Sequence, residues 1–134
     1  MAEDRIDALL NRSPAQCFGA FCDVRFLTQW VPSLRRATVV RTAADGRPLE
    51  VKFEHGASRT YSLVYAYDDA ARSVRWVPGV GAREAVSGEA RFDAEGSRCR
   101  MTYALTGGPA REEIGEAAAI VAAFVRWVES LPAS

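Results

Sequence analysis

The chain has 134 residues, 49% hydrophobic and 25% charged, with 17 basic side chains balanced by 17 acidic ones. That length suits one domain burying roughly two thirds of its unfolded surface, and the balanced charge gives no field to attract nucleic acid or an anionic membrane. A single histidine, and three cysteines without ligand spacing, argue against a zinc site, so no metal or cofactor is expected.

Residues 3–11 alternate, with Ile6, Ala8 and Leu10 on one face and Arg5, Asp7 and Leu9 on the other, which predicts a half-buried strand. The opening residues have no basic stretch before an apolar core, so no signal peptide is expected. Ser13, Pro14 and Gln16 read as a capping box that starts a short helix through Cys22, with Cys17, Phe18 and Phe21 on one face. Asp23 can cap a second short helix carrying Phe26, Leu27 and Trp30, which Pro32 ends. Trp30 reads as a core anchor at this corner rather than a ligand contact.

Six strands are expected next, at residues 34–43, 47–55, 59–68, 73–77, 83–93 and 98–106, separated by turn signals such as Asp45-Gly46 and Glu95-Gly96. Alternation is cleanest where Leu49, Val51, Phe53 and His55 oppose Glu50, Lys52 and Glu54, and where Tyr61, Leu63, Tyr65 and Tyr67 oppose Thr60, Ser62, Val64 and Ala66. Trp76, Phe92 and the series Cys99, Met101, Tyr103 and Leu105 continue it. Consecutive hairpins make an antiparallel meander, which the first strand must rejoin after the helical detour.

Gly107, Gly108 and Pro109 break the last strand and open a long C-terminal helix, expected over residues 109–131 and stopped by Pro132. Ile114, Ala117, Ala118, Val121, Phe124, Val125, Val128 and Leu131 form its apolar stripe, and Glu112, Glu113, Glu116 and Arg126 suit its dipole. The stripe is small at its start and bulky later. Small residues there either leave space beneath the helix or let it approach a sheet closely. The longest apolar run, residues 117–125, is too short for the ~20 residues of a membrane span. The expected class is therefore α+β: a curved seven-stranded antiparallel sheet wrapped around the C-terminal helix, with two short helices between strands 1 and 2, all one domain over residues 1–134. A cytoplasmic protein is expected, without stable membrane insertion, as a monomer or homodimer.

Several stretches join into a larger pattern: Ser13-Pro14-Ala15, Asp23 followed by Trp30-Val31-Pro32, residues 61–65 and 74–76, Gly88 with Arg91 and Phe92, and residues 99–105. In their order and spacing they resemble the START/polyketide-cyclase (SRPBCC) superfamily, the helix-grip fold shared with the birch-pollen allergen and plant hormone receptors. The resemblance spans nearly the whole chain. It implies a cavity between helix and sheet, open at loops 55–58 and 78–82, that holds a small hydrophobic ligand: a lipid, sterol, hormone, quinone or polyketide. Some members catalyse cyclisation or dehydration without a cofactor, so the fold does not assign one activity.

Regular alternation turns the odd positions of the central strands toward the helix. Phe53, Arg59, Tyr61, Leu63, Tyr65, Trp76, Met101 and Tyr103, facing Ala118, Val121 and Phe124, are thus the expected ligand-binding set. The same rings would also serve to fill a core. His55, Arg59 and Tyr61 are the catalytic candidates. His55 has the one side chain titrating near neutrality, which suits a general base, yet it ends a strand beside Gly56, where exposed histidines are common. Arg59 could hold a carboxylate or polarise a ketone at the cavity mouth, or pair on the surface with Glu84 or Glu54. Cys17 and Cys22 belong to the packing and surface of a short helix, Cys99 lies on a strand with no neighbouring base, and Gly79 and Gly81 do not open a helix as a phosphate loop would. A cyclase or dehydratase would use the candidates to orient an enolisable substrate. A co-chaperone-like interaction module would instead need a convex apolar patch, for which Leu9, Val64, Val77 and Ile120 are too scattered.

Overall fold

The computed structural model describes residues 3–32, 34–56, 59–79, 87–106 and 117–132. Its strands are β1 (Glu3–Leu10), β2 (Leu34–Thr42), β3 (Pro48–His55), β4 (Arg59–Asp68), β5 (Ser73–Pro78), β6 (Ser87–Glu95) and β7 (Arg98–Thr106). They form one antiparallel sheet in the order β1-β7-β6-β5-β4-β3-β2. Three helices accompany it among the described residues: α1 (Pro14–Cys22), α2 (Val24–Trp30) and α3 (Ala117–Glu129). The expected strand start at residues 83–86, the helix opening with Gly107, Gly108, Pro109, Glu112, Glu113, Ile114, Gly115 and Glu116, and loop residues 57–58 and 80–82 lie outside the described residues.

Topology decides where the short helices go. β2 to β7 is a meander, but β1 pairs with β7 at the opposite edge from β2, with Ile6 across from Tyr103 and Leu10 across from Cys99. The chain must cross the sheet between β1 and β2, and α1 and α2 are that crossing. Both start on side-chain caps. Ser13 Oγ accepts from the Gln16 N–H at 3.2 Å with Pro14 in the first turn, and the Asp23 carboxylate accepts from the Arg25 N–H at 3.0 Å. At the end of α3, Arg12 donates to the carbonyls of Glu129 at 2.5 Å and Leu131 at 2.8 Å, pairing acceptors that a helix terminus leaves unpaired.

Period-two alternation then collects the apolar side chains on one face. Val51 lies opposite Leu63, Phe53 opposite Tyr61, Tyr65 opposite Trp76, Val74 opposite Ala90, and Phe92 opposite Met101. Trp76 is paired with Gly88, where an added Cβ would come within 2.5 Å of the indole and 2.7 Å of the Ala104 carbonyl oxygen. Glycine is what lets the Trp76 ring lie against its neighbouring strand.

The terminal helix buries Ala117, Ile120, Val121, Phe124 and Val128. Two expectations change here. Ala118 is exposed, and Ile120, assigned above to the outer surface, is buried. At about 100° per residue, a stripe centred on Ala117, Phe124 and Val128 takes in Ile120 and leaves Ala118 beyond its edge. Phe124 and Val128 join Leu10, Cys17, Phe92, Cys99 and Met101 in a cluster with no exposed surface. These residues fill one half of the buried face.

Candidate ligand cavity

The other half of that face is hollow. A cavity of about 70 Å³ lies against β3, β4, β5 and β7, roofed by the two short helices and Ile120 of α3. The β3–β4 register builds its floor: Phe53 sits across from Tyr61, and His55 closes the end of β3. The Phe53, Tyr61 and His55 rings stack within 13° of parallel, at centroid separations of 5.5 to 6.3 Å. Trp76 and Tyr103 continue the wall with centroids 5.7 Å apart. Phe21 of α1 separates hollow from packed, with ring contacts to Trp30, Trp76 and Tyr103 on one side and Phe92 and Phe124 on the other.

Polar groups break this apolar lining at few points. The Tyr61 hydroxyl and His55 Nε2 lie 2.8 Å apart, one donating to the other according to the imidazole tautomer. His55 is 2% exposed, which overturns its reading as a solvent-facing turn residue. Its odd position on β3 keeps it on the buried face to the last residue of the strand. The hydroxyls of Tyr65 and Tyr103 have no hydrogen-bond partner among the described residues, and burial raises both phenols well above their usual pKa, so both remain neutral. The Trp30 indole N–H is buried without an acceptor among the described residues. Such a group costs roughly 1–3 kcal/mol relative to a paired one.

The expected site residues divide by location. Phe53, His55, Tyr61, Leu63, Tyr65, Trp76 and Tyr103 line the cavity. Met101, Val121 and Phe124 are buried but do not line it, and Ala118 faces away. Arg59 opens β4 opposite His55, and its side chain, like Glu84, lies outside the described residues. Glu54 lies 3.8 Å from Arg36. Phe21, Leu27, Trp30, Val31, Leu105 and Ile120 also line the cavity without having been assigned to it. The available signal was the apolar face of each short helix, combined with the crossing that β1 imposes. Trp30 is both the core anchor expected and a wall of the cavity.

Other chemistry finds little footing. Burial pushes the Cys22 thiol up to about 12, and the Cys99 thiol is held far above its usual range by its hydrogen bond to Cys17 and by burial, so neither is a ready nucleophile. Among the described residues no cluster of His, Cys, Asp or Glu could hold a metal ion, and no helix is long and apolar enough to cross a membrane. The exposed large apolar residues Leu9, Val39, Val40 and Val77 sit on β1, β2 and β5, apart in the strand order. Val39 and Val40 are on edge strand β2, whose register shifts and arginines discourage pairing with another strand.

No family model and no curated protein sequence matches the chain. Solved structures do. A START superfamily protein from Mycobacterium smegmatis superposes with a TM-score of 0.76 at 18% identity, over 97% of this chain and 99% of that one. The Zhui aromatase/cyclase from Streptomyces sp. R1128 gives 0.76 at 14% identity, over 96% of this chain and 92% of that one. The di-domain aromatase/cyclase BexL of the BE-7585A biosynthetic pathway gives 0.75 at 14% identity, over 98% of this chain and 48% of that one. The chain has the START-like helix-grip fold, as its sequence pattern resembles.

Proposed function

We propose that this protein binds a small, neutral, aromatic or otherwise apolar metabolite in the cavity between sheet and helices. The observation that carries this reading is the pairing of an aromatic-walled void with polar groups on its lining residues, the Tyr65 and Tyr103 hydroxyls, that have no hydrogen-bond partner among the described residues. A domain gains nothing in stability from either feature. A ligand that fills the void and accepts or donates at those groups removes both costs. The same fold in a START superfamily protein and in aromatase/cyclases supports a ligand-holding role. No charged side chain lines the cavity among the described residues, which favours an uncharged ligand.

Native mass spectrometry of freshly purified protein, followed by denaturing extraction, tests this reading. A released neutral compound of low mass, or a thermal shift with members of a quinone and polyketide panel, is the expected result. A clean apo mass with no stabilisation by any panel member would contradict it.

A second reading rests on one further observation, the buried contact between Tyr61 and His55 on the cavity wall. A hydroxyl coupled to an imidazole can give up and recover a proton, as cyclisation or dehydration of an enolisable substrate requires. In that case Tyr61→Phe abolishes turnover while the protein stays folded. Unchanged turnover would leave the cavity a binding site alone.

A further inference from the structure

Away from the cavity, the packed half of the sheet face holds two thiols against each other. β7 sets Cys99 opposite Leu10 of β1, and after Leu10 the chain turns back over the sheet and brings Cys17 of α1 onto it. Both are free thiols, and both are 0% exposed. The Cys99 S–H donates to the Cys17 sulfur, which holds the Cys17 thiol below its ordinary pKa and, with burial, the Cys99 thiol far above its own. The Arg12 guanidinium, fixed on the carbonyls that end α3, lowers Cys17 further, against burial and the Glu129 carboxylate. The pair is therefore asymmetric: one sulfur is set to carry negative charge and its neighbour to keep a proton.

We propose that Cys17 and Cys99 are a redox pair, in which hydrogen peroxide converts the two contacting thiols into a disulfide that fastens α1 to β7. The Cys17 thiolate attacks one peroxide oxygen. An S–O bond forms, the O–O bond breaks, and the departing hydroxide takes the proton that Cys17 gave up and leaves as water. The sulfur is thereby oxidised to a sulfenic acid and the peroxide is reduced. The Cys99 sulfur then attacks the sulfenic sulfur, the S–S bond forms, the S–O bond breaks, and the Cys99 proton leaves with the hydroxyl as a second water. Contact between the sulfurs puts the second thiol in place beforehand, and burial keeps other thiols from intercepting the sulfenic acid. Burial also selects the reagent. Hydrogen peroxide is small and neutral, and it reaches the pair through local opening of α1, a helix of only nine residues. A disulfide sets its sulfurs about 2.05 Å apart, closer than thiols in hydrogen-bond contact, so oxidation draws the first turns of α1 toward β7. Phe21, which divides the packed half from the hollow one, lies one turn beyond Cys17 on the same helix face and is held with it.

The test treats the folded full chain with hydrogen peroxide, quenches it in denaturant containing a maleimide, and reads intact mass and mapped peptides. The expected result is the loss of two hydrogens per chain, a single alkylated thiol at Cys22, and a linked peptide pair containing Cys17 and Cys99, all reversed by dithiothreitol. The oxidised protein should melt at least ~5 °C above the reduced one, because the bond closes a long loop of chain. Cys22→Ser should react as the unmodified chain does, and Cys99→Ser should stop at a Cys17 sulfenic acid that dimedone captures. Serine at a buried position can unsettle the fold, so mapping of the unmodified chain decides by itself. A link through Cys22, a disulfide between two chains, Cys17 oxidised beyond the sulfenic acid without a link, or three alkylated thiols after a dose that consumes free glutathione would overturn the redox pair. A Cys17–Cys99 link with an unchanged melting temperature would overturn the fastening of α1.

Discussion

The two halves of the buried sheet face belong to one continuous sheet and differ in what they leave undone. Toward β1, β7 and β6, Leu10, Cys17, Phe92, Cys99, Met101 and Phe124 exclude solvent completely. Toward β3, β4 and β5, larger aromatic side chains line a void, and the Tyr65 and Tyr103 hydroxyls there have no hydrogen-bond partner among the described residues. Apolar volume alone does not separate the halves, since the hollow one contains Phe53, Trp76, Tyr61 and Tyr103. Shape does: broad flat rings bridged by short helices leave gaps that phenylalanine, methionine and leucine fill elsewhere. One half supplies stability and the other supplies a site.

That division can be broken most forcefully in the packed half. Phe92→Ala should cost about 3–5 kcal/mol in urea unfolding, because its neighbours are fully buried and cannot collapse into the space. A loss below ~1 kcal/mol would mean that the halves are equally loose.

A smaller effect is expected at the roof of the hollow half. Asp23→Ala removes the cap of α2, which carries Leu27 and Trp30, and should cost about 1 kcal/mol at neutral pH. The Arg25 side chain and backbone N–H hold the Asp23 carboxyl below its ordinary 3.8, so its contribution is full above that value and is lost as pH falls through the lowered one. The variant should therefore show a flatter acid limb below about pH 4, and an identical limb would show that the cap carries no such stability.

The smallest effect sharpens the boundary of the site. Ala118→Gln should change stability by less than ~0.5 kcal/mol and leave the affinity for an aromatic probe untouched, since the position faces solvent. A fall in affinity would return Ala118 to the cavity wall.

Much of this arrangement was legible in the sequence. Strand alternation put Phe53, Tyr61, Leu63, Tyr65, Trp76 and Tyr103 on one face, and the hairpin signals ordered the strands. What alternation cannot say is which of two buried neighbours touches a void. Met101 and Tyr103 share a strand face, yet only Tyr103 reaches the cavity, because Met101 meets Phe92 across the sheet. Helical periodicity left a similar gap in α3. Ala118 and Ile120 lie on opposite flanks of the stripe, and tertiary packing chose Ile120. The contributions of Phe21 and Trp30 depend on the long-range pairing of β1 with β7, which local pattern does not encode.

Two-dimensional NMR of labelled protein titrated with toluene tests the division most directly. Saturable shifts should appear at Phe53, Tyr61, Trp76 and Tyr103, with Leu10, Phe92 and Val128 unmoved. The absence of any saturable shift, or shifts spread evenly over both halves, would contradict the claim that one half of this face is built to be filled from outside.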